Sequence, residues 1–182
     1  GTEYIPFASV DDTCRDISVT CIAPTKTFNL AGLQTAAVYA ENSILHHRMW
    51  RQLNTDEVAE PNAFAIQATI AAFQYGEEWL DELREYVEKN KQYVTEFLQE
   101  KIPLIHPVAG DATYLMWLDC RKITESGRQF VKFIRKTSGL YVSGGNQYGR
   151  GGEGFLRVNV ATSKLVVEDG MQRLYESVDA WL

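Results

Sequence analysis

A long amphipathic segment between Glu77 and Gln99 constrains the fold of this chain more than any other feature. Apolar side chains recur in it at helical spacing: Leu80, Leu83, Val87, Val94, Phe97 and Leu98. Charged residues of both signs occupy the opposite stripe, which is typical of a face turned to solvent. The pattern predicts one helix of about six turns. This helix divides the 182-residue sequence into two parts with different patterns.

The part before the helix alternates between two kinds of segment. β-forming residues cluster at 17–23 and 35–40, and helix-like spacing is found at 44–53 and 61–76. Pro24 ends the first strand-like run, and Asn29 is expected to cap a short helix that begins at Leu30. Alternating strands and helices predict a layered α/β fold.

The part after the helix has an α+β pattern. Strands are predicted at 114–118, 141–142 and 155–161, and helices at 126–136 and 166–182. The glycine-rich segment Ser143–Gly154 lacks the lysine and the strand-to-helix order of a nucleotide-binding loop, so it is expected to be a flexible loop. The sequence therefore predicts a smaller α+β part at the C-terminal end.

Composition excludes several classes of function. A net charge of -6 and a pI near 5.1 argue against nucleic acid as a partner. No apolar run reaches the roughly 20 residues that span a bilayer, and no signal peptide is evident, so we expect no membrane association and a cytoplasmic location. The three cysteines share no metal-ligand spacing, and the adjacent His46 and His47 point in different directions on a helix. No metal site is expected.

Lys26 lies just after the point where an apolar strand-like run stops at Pro24. A lysine held where a buried strand ends and a helix begins can be desolvated, which lowers the pKa of its amine and frees it for Schiff-base chemistry. A single lysine is more commonly a solvated surface charge. The sequence around Lys26 is therefore needed to distinguish a solvated surface charge from a reactive amine.

Those residues carry a resemblance to a known family. Ser18–Leu33, with its core Thr25–Asn29, resembles the lysine motif of fold-type-I pyridoxal-phosphate enzymes of the class I/II aminotransferase superfamily, especially its cystathionine β-lyase-like (carbon–sulfur lyase) branch. Further similar segments follow in the same order: Asn62–Ala65, Tyr75–Leu80, Thr113–Asp119 and Gly149–Asn159. The resemblance covers nearly the whole chain. It implies the C-terminal part of the large domain of a pyridoxal-phosphate transferase, followed by a small α+β domain.

The resemblance assigns roles to particular residues. It implies that Lys26 holds pyridoxal 5'-phosphate and acts as the catalytic base. The hydroxyl groups of Thr25 and Thr27 are the candidate cofactor-binding donors, because one of them could hold the phosphate together with backbone groups from the missing half. It places Arg157 on the α-carboxylate of a small amino-acid substrate and Tyr114 in the substrate pocket. The residues alone leave a second reading of Arg157 open, because a guanidinium in an apolar strand could instead pair with a nearby Asp or Glu.

Two positions near Lys26 depart from the pattern of the family. Ala23 stands where many members have a serine, and Gln34 where many have a basic residue. These departures weaken the transfer of the family's phosphate contacts to this chain. The expected function is β-elimination of a thiol from an amino acid, and transamination is the alternative because it uses the same lysine and arginine.

The family's lysine normally falls well past the middle of a protein about twice this long. We therefore expect a C-terminal fragment, in which residues 1–78 complete the large domain and 79–182 form the small domain with its bridging helix. The parent protein is expected to be a homodimeric enzyme that includes the missing N-terminal half. The chain by itself is expected to be inactive, either a structural remnant or one half of a split enzyme.

Overall fold

The computed structural model describes residues 3–182, which form two compact units. The first unit ends at Glu82 and the second begins at Leu83. This division falls inside the long helix, which runs from Glu77 to Lys101 as the apolar stripe predicts. The predicted domain boundary after residue 78 stays a prediction. No helix within residues 3–182 is long and apolar enough to cross a membrane.

The first unit contains short strands and helices in alternation. Its elements are α1 (Asp12–Asp16), β1 (Thr20–Ile22), α2 (Pro24–Thr27), β2 (Ala37–Tyr39), α3 (Ser43–Thr55) and α4 (Ala65–Tyr75), with 3-10 turns at Phe7–Ser9 and Ala31–Leu33. Strands β1 and β2 pair antiparallel, with Cys21 opposite Val38. The side chain of Asn42 caps α3 by accepting hydrogen bonds from the backbone N–H groups of Ile44 (2.9 Å) and Leu45 (3.2 Å).

The predicted start of the helix after β1 is wrong. Helix α2 begins at Pro24, whose fixed φ suits the first position of a helix, so Lys26 lies inside the helix. Asn29 does not cap a following helix: it has φ 54°, a left-handed conformation that asparagine tolerates, and it lies just after α2. The residues after it form only the 3-10 turn Ala31–Leu33. The strand before Lys26 was also expected to be buried, but Ile22 is 51% exposed.

The second unit is a four-stranded antiparallel sheet with helices. Its elements are the remainder of α5 (Glu77–Lys101), β3 (His106–Pro107), β4 (Leu115–Asp119), α6 (Gly127–Ser138), β5 (Ser143–Gly144), two 3-10 turns (Gly145–Tyr148 and Arg150–Gly152), β6 (Phe155–Asn159) and α7 (Lys164–Asp179). The strand order is β3-β4-β6-β5. The α+β pattern predicted for this part of the sequence is confirmed.

The hydrophobic core lies in the second unit because alternate residues of its two central strands are apolar. Met116 and Leu118 of β4 and Leu156 and Val158 of β6 are buried. The helices contribute the other large buried side chains: Val94, Leu98, Phe130, Ile134, Val167, Met171, Leu174 and Val178. The residues between the core positions point to the opposite face of the sheet, as the period of two requires. Trp117 of β4 and Phe155 and Arg157 of β6 lie on that face.

The glycine-rich segment differs from its prediction. The short strand expected at 141–142 lies two residues later, at β5, and the rest of the segment is folded into two 3-10 turns. Gly145 and Gly152 are buried and lie against each other, where side chains would overlap backbone atoms. The glycines therefore allow two backbone segments to approach each other closely. The segment is folded in this way and is not the flexible loop that its composition predicts.

Candidate active site

Lys26 is positioned by the residues on either side of it. Pro24 is buried at the first position of α2, and the Phe28 ring packs edge-on against Phe73 of α4, with ring centroids 5.3 Å apart. The Phe28 ring also lies 6.3 Å from that of Trp79. Short helices are unstable by themselves, so these apolar contacts are what hold α2 in place.

A second contact fixes the segment that follows α2. The side-chain amide of Asn62 donates a short hydrogen bond to the carbonyl of Leu33, and its oxygen accepts one from the N–H of Phe64 at 3.0 Å. Asn62 thereby joins the 3-10 turn Ala31–Leu33 to the beginning of α4. Asn62 belongs to one of the segments that resemble the family, Asn62–Ala65, but the resemblance assigns no role to it.

Lys26 lines a cavity of about 550 Å³ in the first unit, a size that is typical of small-molecule sites. Thr25 lines the same cavity, as do Ala23 and Gln34, the two positions that depart from the family pattern. Thr35 also lines it and was missed from the sequence, where nothing distinguishes it from other threonines. Thr27 is exposed and is not among the lining residues.

The lining fits one end of pyridoxal phosphate. It offers the Lys26 amine for the aldehyde, and the Thr25 and Thr35 hydroxyls with the Gln34 amide as hydrogen-bond donors for a phosphate. The residues that line this cavity include no carboxylate to pair with a pyridine nitrogen. Lys26 is exposed, so the desolvation expected from its position is not supplied by residues 3–182.

Arg157 lies in the second unit, on the face of the sheet opposite the core. It is half-buried on β6, directly across from Trp117 on β4 and Ser143 on β5. The guanidinium carbon lies 4.5 Å from the centre of the Tyr148 ring, which is a cation–π distance. The Trp117 ring contacts the Tyr148 ring edge-on, with centroids 5.7 Å apart, and stacks on Phe155 at the same distance.

The same sheet face offers a second arginine for comparison. Arg121 lies over the Phe155 ring, and its Nε and Nη2 donate hydrogen bonds of 2.9 and 2.7 Å to the two oxygens of Asp119. These hydrogen bonds lower the pKa of Asp119 to about 2. Arg157 has no such partner, since no carboxylate in residues 3–182 pairs with it. The alternative reading of Arg157 as half of an internal ion pair is therefore not realised within this part of the chain.

The ion pair of Asp119 should make the second unit sensitive to acid. Because the folded-state pKa of Asp119 is below its usual 3.8, the pair stabilises the fold above pH 3.8 and loses this effect as the pH falls toward 2. Asp119→Asn should cost about 0.5 to 1 kcal/mol at pH 7, because Arg121 is largely exposed, and almost nothing below pH 2. Urea unfolding at both pH values measures this. Arg121→Gln should also lower the stability at pH 7, and the double variant should lose less than the sum of the two single variants.

Tyr114 lies immediately before β4, where its backbone carbonyl accepts a hydrogen bond of 3.1 Å from the N–H of Val160. Its side chain is half-buried. The neighbouring Thr113 lines a second cavity of about 660 Å³, together with Ala112 and Trp117. The structure thus brings Lys26 together with Thr25 in the first unit, and it places Arg157 and Tyr114 in the second unit. No group of three or more metal-ligating side chains is found in the described part of the chain.

The family model for class I and II aminotransferases matches residues 6–174. The chain belongs to this family. It is 38% identical over 174 residues to "Cystathionine beta-lyase PatB" of Bacillus subtilis, a match that covers 96% of this chain and 45% of the relative. The predicted family and its resemblance to cystathionine β-lyases are therefore confirmed.

Solved structures of the family share the fold. Cystalysin from Treponema denticola, which contains a pyridoxal 5'-phosphate cofactor, matches with a TM-score of 0.95 at 26% identity, over 99% of this chain and 46% of cystalysin. A pyridoxal-phosphate-bound carbon–sulfur lyase from Staphylococcus hominis matches with a TM-score of 0.84 at 30% identity, over 97% of this chain and 46% of the lyase. The predicted fold class is confirmed, and the chain spans slightly less than half the length of these relatives.

Proposed function

We propose that this chain is the C-terminal part of a pyridoxal-phosphate-dependent carbon–sulfur lyase. The observation that carries the proposal is the cavity lined by Lys26 and Thr25 in a chain that is 38% identical to a cystathionine β-lyase. The substrate would be a small amino acid with a thiol or thioether on its β-carbon, such as cystathionine. With water as co-reactant, the products are pyruvate, ammonia and the free thiol.

Each candidate residue has a defined task in this reaction. When bound, pyridoxal phosphate supplies an electron sink for the α-carbon of the substrate. Lys26 would hold the cofactor through Nζ and, once released from it, remove the proton from the α-carbon. Thr25 lies one residue before Lys26 and would donate its hydroxyl to the phosphate, as Thr35 and Gln34 could. Thr27 stays a second candidate donor.

Arg157 would bind the α-carboxylate of the substrate. Its planar fork can donate two parallel hydrogen bonds to a carboxylate, and no carboxylate of residues 3–182 occupies it. Arg121, on the same sheet face, makes two such hydrogen bonds to the two oxygens of Asp119. Tyr114 would contribute to the substrate pocket. Transamination is the second candidate function, which the aminotransferase family model supports, because it needs the same lysine and arginine.

The complete site needs polypeptide beyond these residues. The cavity lining lacks the carboxylate that a pyridine nitrogen requires for an efficient electron sink. In the first unit, Ile66, Ile70 and Phe73 lie on one face of α4 and are each about half exposed, and with Ile22 they line an apolar cavity of about 370 Å³. We propose that the part of the relatives without a counterpart in this chain covers this face, and that the assembled enzyme is a homodimer. The isolated chain should show negligible turnover.

Reductive labelling tests the proposal directly on the chain. The purified protein is mixed with pyridoxal phosphate, reduced with borohydride, and digested so that mass spectrometry locates the modified lysines. We expect Lys26 to carry roughly tenfold more label than the average lysine, a preference of about 1.4 kcal/mol, because the cavity holds the phosphate next to its amine. Thr25→Val should reduce this preference.

Two controls sharpen the result. Lys26→Arg should remove the selective label while leaving the background on surface lysines such as Lys132 unchanged. Pyridoxal without the phosphate should label all lysines evenly, because nothing then anchors it beside Lys26. Equal labelling of Lys26 and the surface lysines by pyridoxal phosphate itself would mean that the cavity, as residues 3–182 form it, does not hold the cofactor beside Lys26.

A further inference from the structure

The aromatic side chains around Arg157 form an ordered support on the outer face of the sheet. Tyr148 lies under the guanidinium, and Trp117 touches both Tyr148 and Phe155. We name Tyr148, Trp117 and Phe155 the aromatic platform. Trp117 and Arg157 are direct cross-strand neighbours and Phe155 is two residues before Arg157, so these three side chains lie on the same face of β4 and β6.

We propose that Tyr148 is a positioning residue that fixes the plane of the Arg157 guanidinium for a carboxylate ligand. This inference rests on the proposed role of Arg157 as the binding residue for the substrate carboxylate. A ring face attracts a guanidinium through its π system and uses none of the five N–H donors. Stacking on Tyr148 therefore orients the side chain while it leaves the hydrogen-bonding fork free.

Arg121 and Arg157 are both stacked on an aromatic ring, but only Arg121 also has a carboxylate partner. Arg121 is stacked on Phe155 and is also held by two hydrogen bonds to Asp119, so its fork is occupied. Arg157 is stacked on Tyr148, and no residue in 3–182 occupies its fork. The Nε–Nη2 edge of Arg121 is already taken by Asp119, whereas that of Arg157 can still receive an external carboxylate through two parallel hydrogen bonds.

The glycine-rich segment explains how Tyr148 reaches this position. Tyr148 is the last residue of the 3-10 turn that starts at Gly145, and a Cβ on Gly145 would lie 3.0 Å from the Trp117 ring and 2.9 Å from Cβ of Phe155. The absence of a side chain at Gly145 lets the turn approach the sheet closely. Gly149, at φ 120°, follows Tyr148 and redirects the chain in a conformation that other residues rarely adopt.

The arginine side chains of the 182-residue protein can be observed one by one in ¹⁵N–¹H spectra. We expect the Nε–H signal of Arg157 to be shifted by the Tyr148 ring current, and to move toward the position of a free arginine in Tyr148→Leu. Tyr148→Phe should keep the shift, because the ring face remains. The Arg121 signal should be unchanged in both variants and serves as the internal control.

Titration with acetate tests the consequence for binding. The Arg157 signal should respond to acetate and the Arg121 signal should not, since Asp119 fills the fork of Arg121. Tyr148→Leu should weaken the Arg157 response roughly threefold, and Tyr148→Phe should restore it. Arg157→Lys should remove the response.

Three outcomes would contradict the inference in different ways. An Arg157 signal that is the same in wild type and Tyr148→Leu would show that Tyr148 does not hold the guanidinium. A changed signal with unchanged acetate affinity would show that stacking does not prepare the fork. No response of Arg157 to acetate in the wild type would contradict its role in binding a carboxylate, and therefore also the proposed positioning role of Tyr148. The labelling of Lys26 would remain a separate test of the cofactor site.

Discussion

Gly152→Ala is expected to destabilise the second unit by about 3 kcal/mol, at the upper end of the cost of overpacking. A Cβ at this position would overlap the carbonyl group of Gly145 and would lie 3.1 Å from the backbone nitrogen of Asn146. Both obstacles are backbone atoms, which cannot swing away as the end of a flexible side chain can. The two 3-10 turns would have to separate, and the turn that ends in Tyr148 would move with them.

Gly151→Ala is the matched control for this prediction. The neighbouring glycine is exposed and has no atom within 4 Å of an added Cβ, so its replacement should change the free energy of unfolding by less than about 0.5 kcal/mol. Urea unfolding followed by far-UV circular dichroism compares the two variants with the wild type. Equal stability of the two alanine variants would show that the close approach of Gly145 and Gly152 is not maintained in solution.

The same pair of variants connects stability with the site. In Gly152→Ala, the Arg157 Nε–H signal should move toward that of a free arginine even where the protein remains folded, because the Tyr148 ring is displaced. In Gly151→Ala that signal should stay in place. The glycine-rich segment would then act on function through the position of one ring, and not through flexibility.

The sequence predicted those elements whose pattern is long and regular. The helix Glu77–Lys101 followed from its apolar stripe, and the alternation in Leu115–Asp119 and Phe155–Asn159 marked the two central strands. The start of α2 was misplaced, because Asn29 is typical of a helix cap and also of the left-handed conformation it adopts here. A local residue preference could not separate these two possibilities.

The residues of the candidate site were predictable only where they belong to a motif. Lys26 and Arg157 stood out through the resemblance to a family, whereas Thr35 and Tyr148 are ordinary residue types whose roles depend on what the fold places next to them. The Asp119–Arg121 ion pair could not be predicted from the sequence either, because two residues of opposite charge that are two positions apart usually have no fixed geometry. Tertiary contacts, and not sequence pattern, make these side chains part of a site.

The two units are expected to differ by at least about a thousandfold in the exchange of their best-protected backbone amides, which corresponds to about 4 kcal/mol. The large buried side chains all lie in the second unit, for example Phe130, Leu156 and Leu174, whereas the buried residues among those described in the first are the small Pro24, Ala40 and Ala65. An element without a buried core opens at little cost in free energy. Amides of β4, β6 and α7 should therefore exchange slowly, and those of β1, β2 and α3 quickly.

Hydrogen exchange with mass spectrometry on the 182-residue protein measures this difference, and Phe130→Ala provides a control for it. Loss of the Phe130 ring, which packs against Trp181 with centroids 5.3 Å apart, should cost about 3 to 5 kcal/mol and should accelerate exchange throughout the second unit. The first unit should be unaffected. If β1 and β2 were instead as well protected as β4 and β6, the first unit would already be stable, and its exposed apolar face would not require a covering polypeptide. Fast exchange around Lys26 would mean that the candidate cofactor lysine depends on that polypeptide for its fixed position, whereas Arg157 is held by the unit in which it lies.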